Sequence, residues 1–301
     1  EVGPSVDESS YASISRTALA HASLNRRAVT LGGVRFDELP NATLDLEPMP
    51  VFSPNATVVV ARPGGDQPFG YDLSSVHAFR GKVRGVEDSS VVVVSSPRRL
   101  SGFVEFPSAG KKYKLLSVDR AGRPLPGNAV AVYPVQPSSA AVADAPRCGR
   151  SAESVVAGCC FEPSAAAVFN KRTMTVEIAI ETDYELFETF GDLAATADHV
   201  AEIMARTNLV FLRDINVRFE VVFVRFFDTP GSELPFMSNP DPLVGYRDFW
   251  NVNMNAVARD TGAYFSGRRD LPYGGVAYLG GICSQFAYCI AGYLRGFGDA
   301  S

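Results

Sequence analysis

The clearest pattern in the chain is an alternation of apolar and polar residues from Met174 to Asp183. Val176, Ile178 and Ile180 alternate with Glu177, Ala179 and Glu181, which predicts a β-strand because side chains of a strand point to opposite faces in turn. The stretch Ile215 to Phe227 begins with the same period and predicts a second strand.

The segment between these two strands has a helical period instead. Leu193, Ala197, Val200, Met204 and Thr207 are spaced by three and four residues, which predicts an amphipathic helix. Asp192 stands where an N-cap or a first-turn acid is expected.

Two further elements follow along the chain. A helix is predicted from Tyr246 to about Arg259, and a short strand flanked by glycines begins at Gly275. Strands that alternate with helices in this way are typical of an α/β layer arrangement.

The first half of the chain has a different texture. Between Val29 and about Pro137, short runs rich in Val, Phe and Tyr recur between turn residues, as expected for a β-rich domain. The predicted strands are Val58–Ala61, Val91–Ser95, Gly102–Phe106, Tyr113–Val118 and Ala129–Val135.

These patterns predict an α+β protein with two domains. Residues 1–30 are a lead-in segment, residues 31–137 the β-rich domain, and residues 173–301 the α/β domain. Residues 138–172 are rich in Ala, Ser and Pro, hold three of the five cysteines, and are predicted to be a linker.

Composition and charge exclude several classes of protein. With 46% hydrophobic and 20% charged residues, the 301-residue chain can form packed cores. A net charge of -5 and an isoelectric point near 5.3 argue against nucleic acid as a partner. No apolar run approaches the roughly 20 residues that cross a bilayer, so no membrane span is predicted.

Histidine is scarce, and this limits the metal chemistry of the chain. The three histidines are His21, His77 and His199, too far apart to form a pair of ligands on one helical turn. The sequence therefore contains no zinc motif of the HExxH type.

The second half nevertheless resembles the catalytic domain of the reprolysin or adamalysin family, within the metzincin zinc proteases. Four segments in matching order and spacing carry this resemblance: Val176–Asp183, Arg213–Phe219, Arg259–Gly267 and Gly274–Cys283. The β-rich first domain looks like the pro-region that precedes such catalytic domains.

The resemblance implies a metzincin-like α/β/α sandwich and catalysis by zinc bound to HExxHxxGxxH. In the family this motif lies a short distance beyond the segment that ends here near Cys289, so we expect that the chain stops before the zinc helix. A genuine loss of the zinc site is the alternative.

Two features of the linker match features of the family's zymogens. Cys148 lies in Ala-Pro-Arg-Cys-Gly, which resembles the cysteine switch whose thiolate fills the open zinc position. The alternatives are a disulfide or a free thiol. Lys171 and Arg172 form a basic pair where proproteins of the family are cut, although a solvated pair of loop charges accounts for them equally well.

The resemblance also implies two binding sites in the second domain. Glu177 and Asp260 match positions that ligate a structural calcium ion in several family members, although surface carboxylates need no metal. The family lays its peptide substrate along an edge strand by β-augmentation. The matching residues are Gly275, Val276, Ala277, Tyr278, Leu279 and Gly280.

Cysteines and sequons indicate the compartment. Cys283 and Cys289 are close enough in sequence to be bridged, although the family often pairs such a cysteine with one further downstream. Asn41 and Asn55 begin two glycosylation sequons. Together with the resemblance, they indicate a secreted or extracellular protein.

The predicted function is that of a zinc metalloendopeptidase in zymogen form, acting on peptide or protein substrates. The 301-residue chain itself is expected to be inactive because it lacks the zinc motif. Two alternatives remain: a metzincin-like binding module without catalytic activity, and a β-rich adhesion or carbohydrate-binding protein.

Overall fold

The computed structural model describes residues 11–119, 122–135, 172–233, 236 and 238–294. These residues form two compact units that interleave along the chain. Within the described residues, unit 1 comprises 11–51, 72–135 and 198–213, and unit 2 comprises 52–71, 172–197 and 214–294.

Unit 1 is built on an antiparallel sheet of eight strands. The strands are β1 (Tyr11–Ser13), β2 (Val29–Val34), β3 (Ala42–Pro48), β6 (His77–Val83), β7 (Ser90–Ser95), β8 (Leu100–Phe106), β9 (Lys111–Leu116) and β10 (Ala129–Pro134). Their order in the sheet is β1-β10-β9-β8-β7-β6-β3-β2. Helix α1 (Arg16–Leu24) precedes β2 and adds Leu19 and Ala22 to the core of this unit.

Every residue of the central strand β7 is buried, so both faces of the sheet are covered there. Val91 and Val93 face the main core of unit 1. On the opposite face, Phe103 pairs across the strands with Val92, and the guanidinium of Arg206 lies 4.0 Å from the centre of the Phe103 ring. Arg206 belongs to helix α3 (Leu193–Ile215), of which residues 198–213 are part of unit 1.

Unit 2 contains a mixed sheet of seven strands and the remaining helices. The strands are β4 (Phe52–Val60), β5 (Gln67–Pro68), β11 (Met174–Thr182), β12 (Val217–Phe226), β13 (Thr261–Phe265), β14 (Gly275–Ala277) and β15 (Tyr288–Ala291). Their order is β14-β15-β13-β11-β12-β4-β5. Among the described residues, this unit contains the helices α2 (Tyr184–Phe190) and α4 (Pro242–Asn253) and the two ends of α3 (Leu193–Ile215).

The central strands of this sheet, β4, β12, β11, β13 and β15, run parallel to one another. Parallel strands are usually covered on both faces, and from Ile178 to the end of β11 every residue is buried. The core of unit 2 is aromatic, with Tyr246, Trp250 and Tyr264 fully buried in it.

Aspartates begin three of the helices by accepting hydrogen bonds from free backbone N–H groups. Asp183 Oδ1 accepts from the amide of Leu186 at the start of α2. Asp192 Oδ1 accepts from the amide of Ala195, which confirms Asp192 as the predicted N-cap of α3. Asp241 caps α4, so this helix begins at Pro242, four residues before the predicted start.

The structure confirms the secondary structure predicted for the alternating segments but divides the chain differently from the predicted boundaries. The five strands predicted in the first half correspond to β4, β7, β8, β9 and β10. However, β4 does not lie in the sheet of its sequence neighbours, because it pairs with β12 in unit 2. The mixed α/β composition is as predicted, whereas the layout of a pro-region followed by a metzincin domain stays a prediction.

Substitution of Gly81 on β6 tests how closely β6 packs against β3 in the sheet of unit 1. A Cβ atom on Gly81 would lie 1.9 Å from the backbone oxygen of Asp45 on β3, so the two strands would have to separate. We expect Gly81→Ala to lower the free energy of unfolding by about 1–3 kcal/mol, as overpacking usually does. Thermal or urea denaturation measures this change.

The matched control is Gly64→Ala, because a Cβ atom at Gly64 meets no atom within 4 Å. This control should change the free energy of unfolding by less than about 0.5 kcal/mol. Equal stability of the two variants would show that β3 and β6 are not packed as described.

Candidate functional site

Strand β14 forms one edge of the seven-stranded sheet and runs antiparallel to β15. Its side chains alternate between the core and the surface, as expected for a strand with one covered face. Val276 and Tyr278 are buried in the core of unit 2, while Ala277 and Leu279 are exposed. The residues predicted as a substrate-binding edge therefore do begin an edge strand.

The hydrogen bonds of β14 show which backbone groups remain open. The amide of Tyr278 donates to the oxygen of Tyr288, and the register pairs Ala277 with Cys289. In an antiparallel pair, every second residue directs its N–H and C=O groups away from the partner strand. The N–H and C=O groups of Ala277 and Gly275 therefore point outward, where no other strand of the described residues pairs with them.

The segment that follows β14 is held against α4 and presents apolar side chains to solvent. Arg247 Nη1 on α4 donates to the Tyr278 hydroxyl over 3.1 Å, and the guanidinium lies 5.2 Å from the centre of the Phe286 ring. Leu279 and Ile282 are 60% and 57% exposed. An extended peptide along β14 would thus meet backbone donors and acceptors with apolar side chains nearby.

A buried ionic network lies farther along the same sheet. Glu181 on β11 is fully buried and accepts hydrogen bonds from Trp250 Nε1 and, at 2.5 Å, from Arg225 Nη1. Arg225 Nε also donates to Asp66 Oδ1 at 2.8 Å. Burial lowers the pKa of Arg225, but the charges of Glu181 and Asp66 outweigh this effect and raise it above its ordinary value.

Asp183 closes the carboxyl end of β11. Its Oδ1 accepts hydrogen bonds from the amides of Leu186 at 2.8 Å and Gly267 at 2.9 Å, and its Oδ2 accepts one from the Ser266 hydroxyl. Burial raises the pKa of Asp183 to about 6, although these three hydrogen bonds oppose the rise. The aspartate thus joins β11, α2 and the end of β13.

The structure brings the predicted calcium ligands Glu177 and Asp260 next to each other. Asp260 Oδ2 accepts a hydrogen bond from the amide of Glu177 at 2.8 Å, and the amide of Asp260 donates to the Glu177 carbonyl oxygen. The Cys283 thiol lies 3.7 Å from Asp260 Oδ1. Both carboxylate oxygens of Asp260 therefore have protein partners, and calcium binding stays a prediction.

The two disulfide candidates, Cys283 and Cys289, are not bridged to each other in the structure. Both are free thiols; Cys283 is exposed and Cys289 lies in β15. Burial raises the pKa of Cys289 to about 11, so the thiol stays protonated at neutral pH and supplies little thiolate as a nucleophile or metal ligand. Cys289 is held in β15, which lies between β13 and β14, and a disulfide from either cysteine stays a prediction.

The described residues do not fit a zinc ion. None of their His, Cys, Asp and Glu side chains form a group of three or more that could hold a metal. His21 lies on α1, His77 on β6 and His199 on α3, so the histidines belong to three separate elements. No catalytic step through zinc follows from these residues.

Residues 172–293, less than half of the chain, match the family model Reprolysin_5, described as metallo-peptidase family M12. The match supports a metallopeptidase. It runs from the start of β11 to just beyond β15 and includes helix α3 and the edge strand β14.

Two solved structures resemble the chain as a whole or in part. Metalloproteinase-II from Bacteroides fragilis is 11% identical, with 89% of this chain and 76% of that chain covered and a TM-score of 0.43. The structure of a chaperone-substrate complex is 14% identical, with 41% and 22% covered and a TM-score of 0.32. Both TM-scores are below 0.5, so neither likeness defines the fold. No curated protein sequence matches the chain.

The remaining predicted residues have simple positions. Arg172, Asn41 and Asn55 are exposed, while Cys148 and Lys171 lie outside the described residues. No helix in the described part of the chain is long and apolar enough to cross a membrane.

Because its pKa is raised, Asp183 should make the free energy of unfolding depend on pH. The folded protein holds the Asp183 proton up to about pH 6, whereas the ordinary carboxyl loses it near 3.8. This group therefore adds stability at low pH that is lost as the pH rises to about 6. In Asp183→Asn, the amide oxygen can accept the two backbone hydrogen bonds and the amide nitrogen can donate to Ser266.

We expect the stability of Asp183→Asn relative to the native protein to increase between pH 4 and pH 7. The increase should be on the order of 2–3 kcal/mol, since one pKa unit corresponds to about 1.4 kcal/mol. Urea denaturation at both pH values measures it. A difference in stability that does not change with pH would contradict the environment described for Asp183.

Proposed function

We propose that this chain is part of a zinc metalloendopeptidase made as a zymogen. The observation that carries the proposal is the match of residues 172–293 to a metallopeptidase family, over a segment whose edge strand β14 has outward backbone groups. Such an edge suits the binding of an extended peptide by β-augmentation.

In this proposal β14 holds the substrate backbone. The N–H and C=O groups of Ala277 pair with the peptide, and the exposed side chains of Leu279 and Ile282 contact its apolar residues. A zinc ion would supply the Lewis acid that such hydrolysis needs. Its ligands would have to come from outside these 301 residues, because the chain has no HExxHxxGxxH motif.

The regulatory part of the proposal concerns the segment between the two halves. Cys148 would supply the thiolate that blocks the zinc ion, and cleavage after Arg172 would remove this block. Glu177 and Asp260 would contribute to a calcium site. Secretion is supported by the two sequons, whose Asn41 and Asn55 side chains are exposed and open to glycosylation.

A binding module without catalytic activity is the second candidate. It is favoured by the absence, within the described residues, of a side-chain group that could hold a metal, although β14 and its surroundings are complete. This protein would use the same edge to bind a peptide without cutting it.

Zinc content and cleavage of an unfolded protein separate the two candidates. We expect the 301-residue chain to contain no stoichiometric zinc and to cleave nothing. The longest product of the same gene should bind one zinc ion and hydrolyse denatured casein. Stoichiometric zinc or cleavage by the short chain would contradict its predicted inactivity, and an inactive, zinc-free long product would leave the binding module.

The edge strand is tested in the active product by Ala277→Pro. Proline removes an outward N–H group without removing a bond to β15, and edge strands tolerate it at such positions. We expect kcat/KM for peptide cleavage to fall about tenfold, mainly through KM, as the loss of one peptide hydrogen bond implies. Ala277→Ser keeps the N–H group and should behave like the native enzyme. Equal kcat/KM for both variants would exclude pairing of the substrate with Ala277.

A further inference from the structure

We call the residues before the segment 138–171 the first half of the chain and those after it the second half. Strand β4 belongs to the first half, but it pairs in parallel with β12 of the second half. Val58, Val59 and Val60 lie opposite residues 224–226 of β12, and the amide of Ala61 donates to the Phe226 oxygen at 2.9 Å. Val59 and Ala61 are also buried in the aromatic core of unit 2. This strand therefore supplies both backbone pairing and apolar contacts.

Two sets of ion pairs hold the same segment in place. Arg62 makes a two-pronged contact with Asp228, in which Nη2 donates to Oδ2 at 2.7 Å. Asp66 binds Arg225, which also binds the buried Glu181. The Arg62–Asp228 pair joins residues 166 positions apart in sequence. Paired, partly buried guanidinium and carboxylate groups are among the stronger polar contacts in proteins.

The second half of the chain also contributes to unit 1, through residues 198–213 of α3. Glu202 on α3 is 3.5 Å from Arg99 Nη2, and Arg206 lies over the Phe103 ring. Burial alone would raise the pKa of Glu202, but the hydrogen bond with His199 and the charges of Arg99 and Arg206 lower it to about 2. Glu202 is thus charged at neutral pH and held by cations from both halves of the chain.

We infer that the first half of the chain remains bound to the second half as a non-covalent, strand-donating partner after the chain is cut between them. The binding surface on the second half is the edge of β12 with Asp228 and Arg225, and its partner is the segment 52–66 of the same chain. Each compact unit contains residues from both sides of the segment 138–171, so hydrolysis of one peptide bond there breaks none of these contacts.

The natural position of the cut, after Arg172, is taken from the proposed function; the bound state of the two halves does not depend on that function. A cut after Arg172 would remove the covalent link but not β4, and release of the first half would need a second cut within it or dissociation of the strand. Without β4, the second half would expose the N–H and C=O groups of β12, an edge that invites aggregation.

The experiment uses the full 301-residue chain with a recognition sequence for a specific protease added within residues 138–171. After the cut is verified on a denaturing gel, size-exclusion chromatography in native buffer at micromolar concentration shows whether the products separate. We expect co-elution at the position of the intact chain, and separation only in denaturant. Separate elution in native buffer would overturn the inference.

A pair of arginine variants tests the named surface. Arg62→Gln removes the contact with Asp228 between the halves, whereas Arg80→Gln removes a contact with Glu47 that lies within the first half. In the cut protein we expect Arg62→Gln to raise the dissociation constant about tenfold and Arg80→Gln to leave it unchanged. Equal dissociation constants would contradict the assignment of Arg62 to this surface.

These measurements are independent of zinc and of peptide cleavage. An inactive enzyme whose halves co-elute would count against the proposed function alone. An active enzyme whose halves separate would count against strand donation alone.

Discussion

Strand β12 has two edges, and unit 2 depends on both of them being paired. One edge is paired with β11 and the other with β4. A buried backbone group that lacks a hydrogen-bond partner costs about as much free energy as a lost hydrogen bond. Val221, Phe223 and Val224 of this strand are buried. The second half of the chain thus lacks a complete sheet of its own.

The Glu181 network follows from the same arrangement. A fully buried carboxylate is costly unless it is paired and hydrogen-bonded. Arg225 gives the Glu181 carboxylate a cationic partner, and Trp250 donates a second hydrogen bond to it. Asp66, which follows β4, accepts a hydrogen bond from Nε of the same Arg225 guanidinium. The aromatic core, the ionic network and the added strand therefore support one another within unit 2.

The sequence was sufficient for elements whose pattern is local. The alternation in β11 and β12, the helical period of α3 and the cap Asp192 could all be read from neighbouring residues, and the resemblance located the edge strand β14. The partner of β4 could not be predicted, because Val58 to Val60 suit a buried strand of either sheet. Asp66 stands in a Pro-Gly-Gly-Asp turn, and nothing near it indicates that it binds Arg225. Glu181 and Asp183 could have been noticed only as acidic residues at the end of an otherwise apolar strand, which is a weak indication that they are buried and hydrogen-bonded.

The position of β4 also bears on the order in which the chain can fold. A ribosome releases residues 52–71 long before β12, so the donated strand is already present when its partner emerges. Pairing across more than 150 residues closes a long loop, and such contacts form slowly because the entropy of closure must be spent first. The sheet of unit 2 is therefore expected to be completed late, with the first half of the chain serving as the template on which the second half folds.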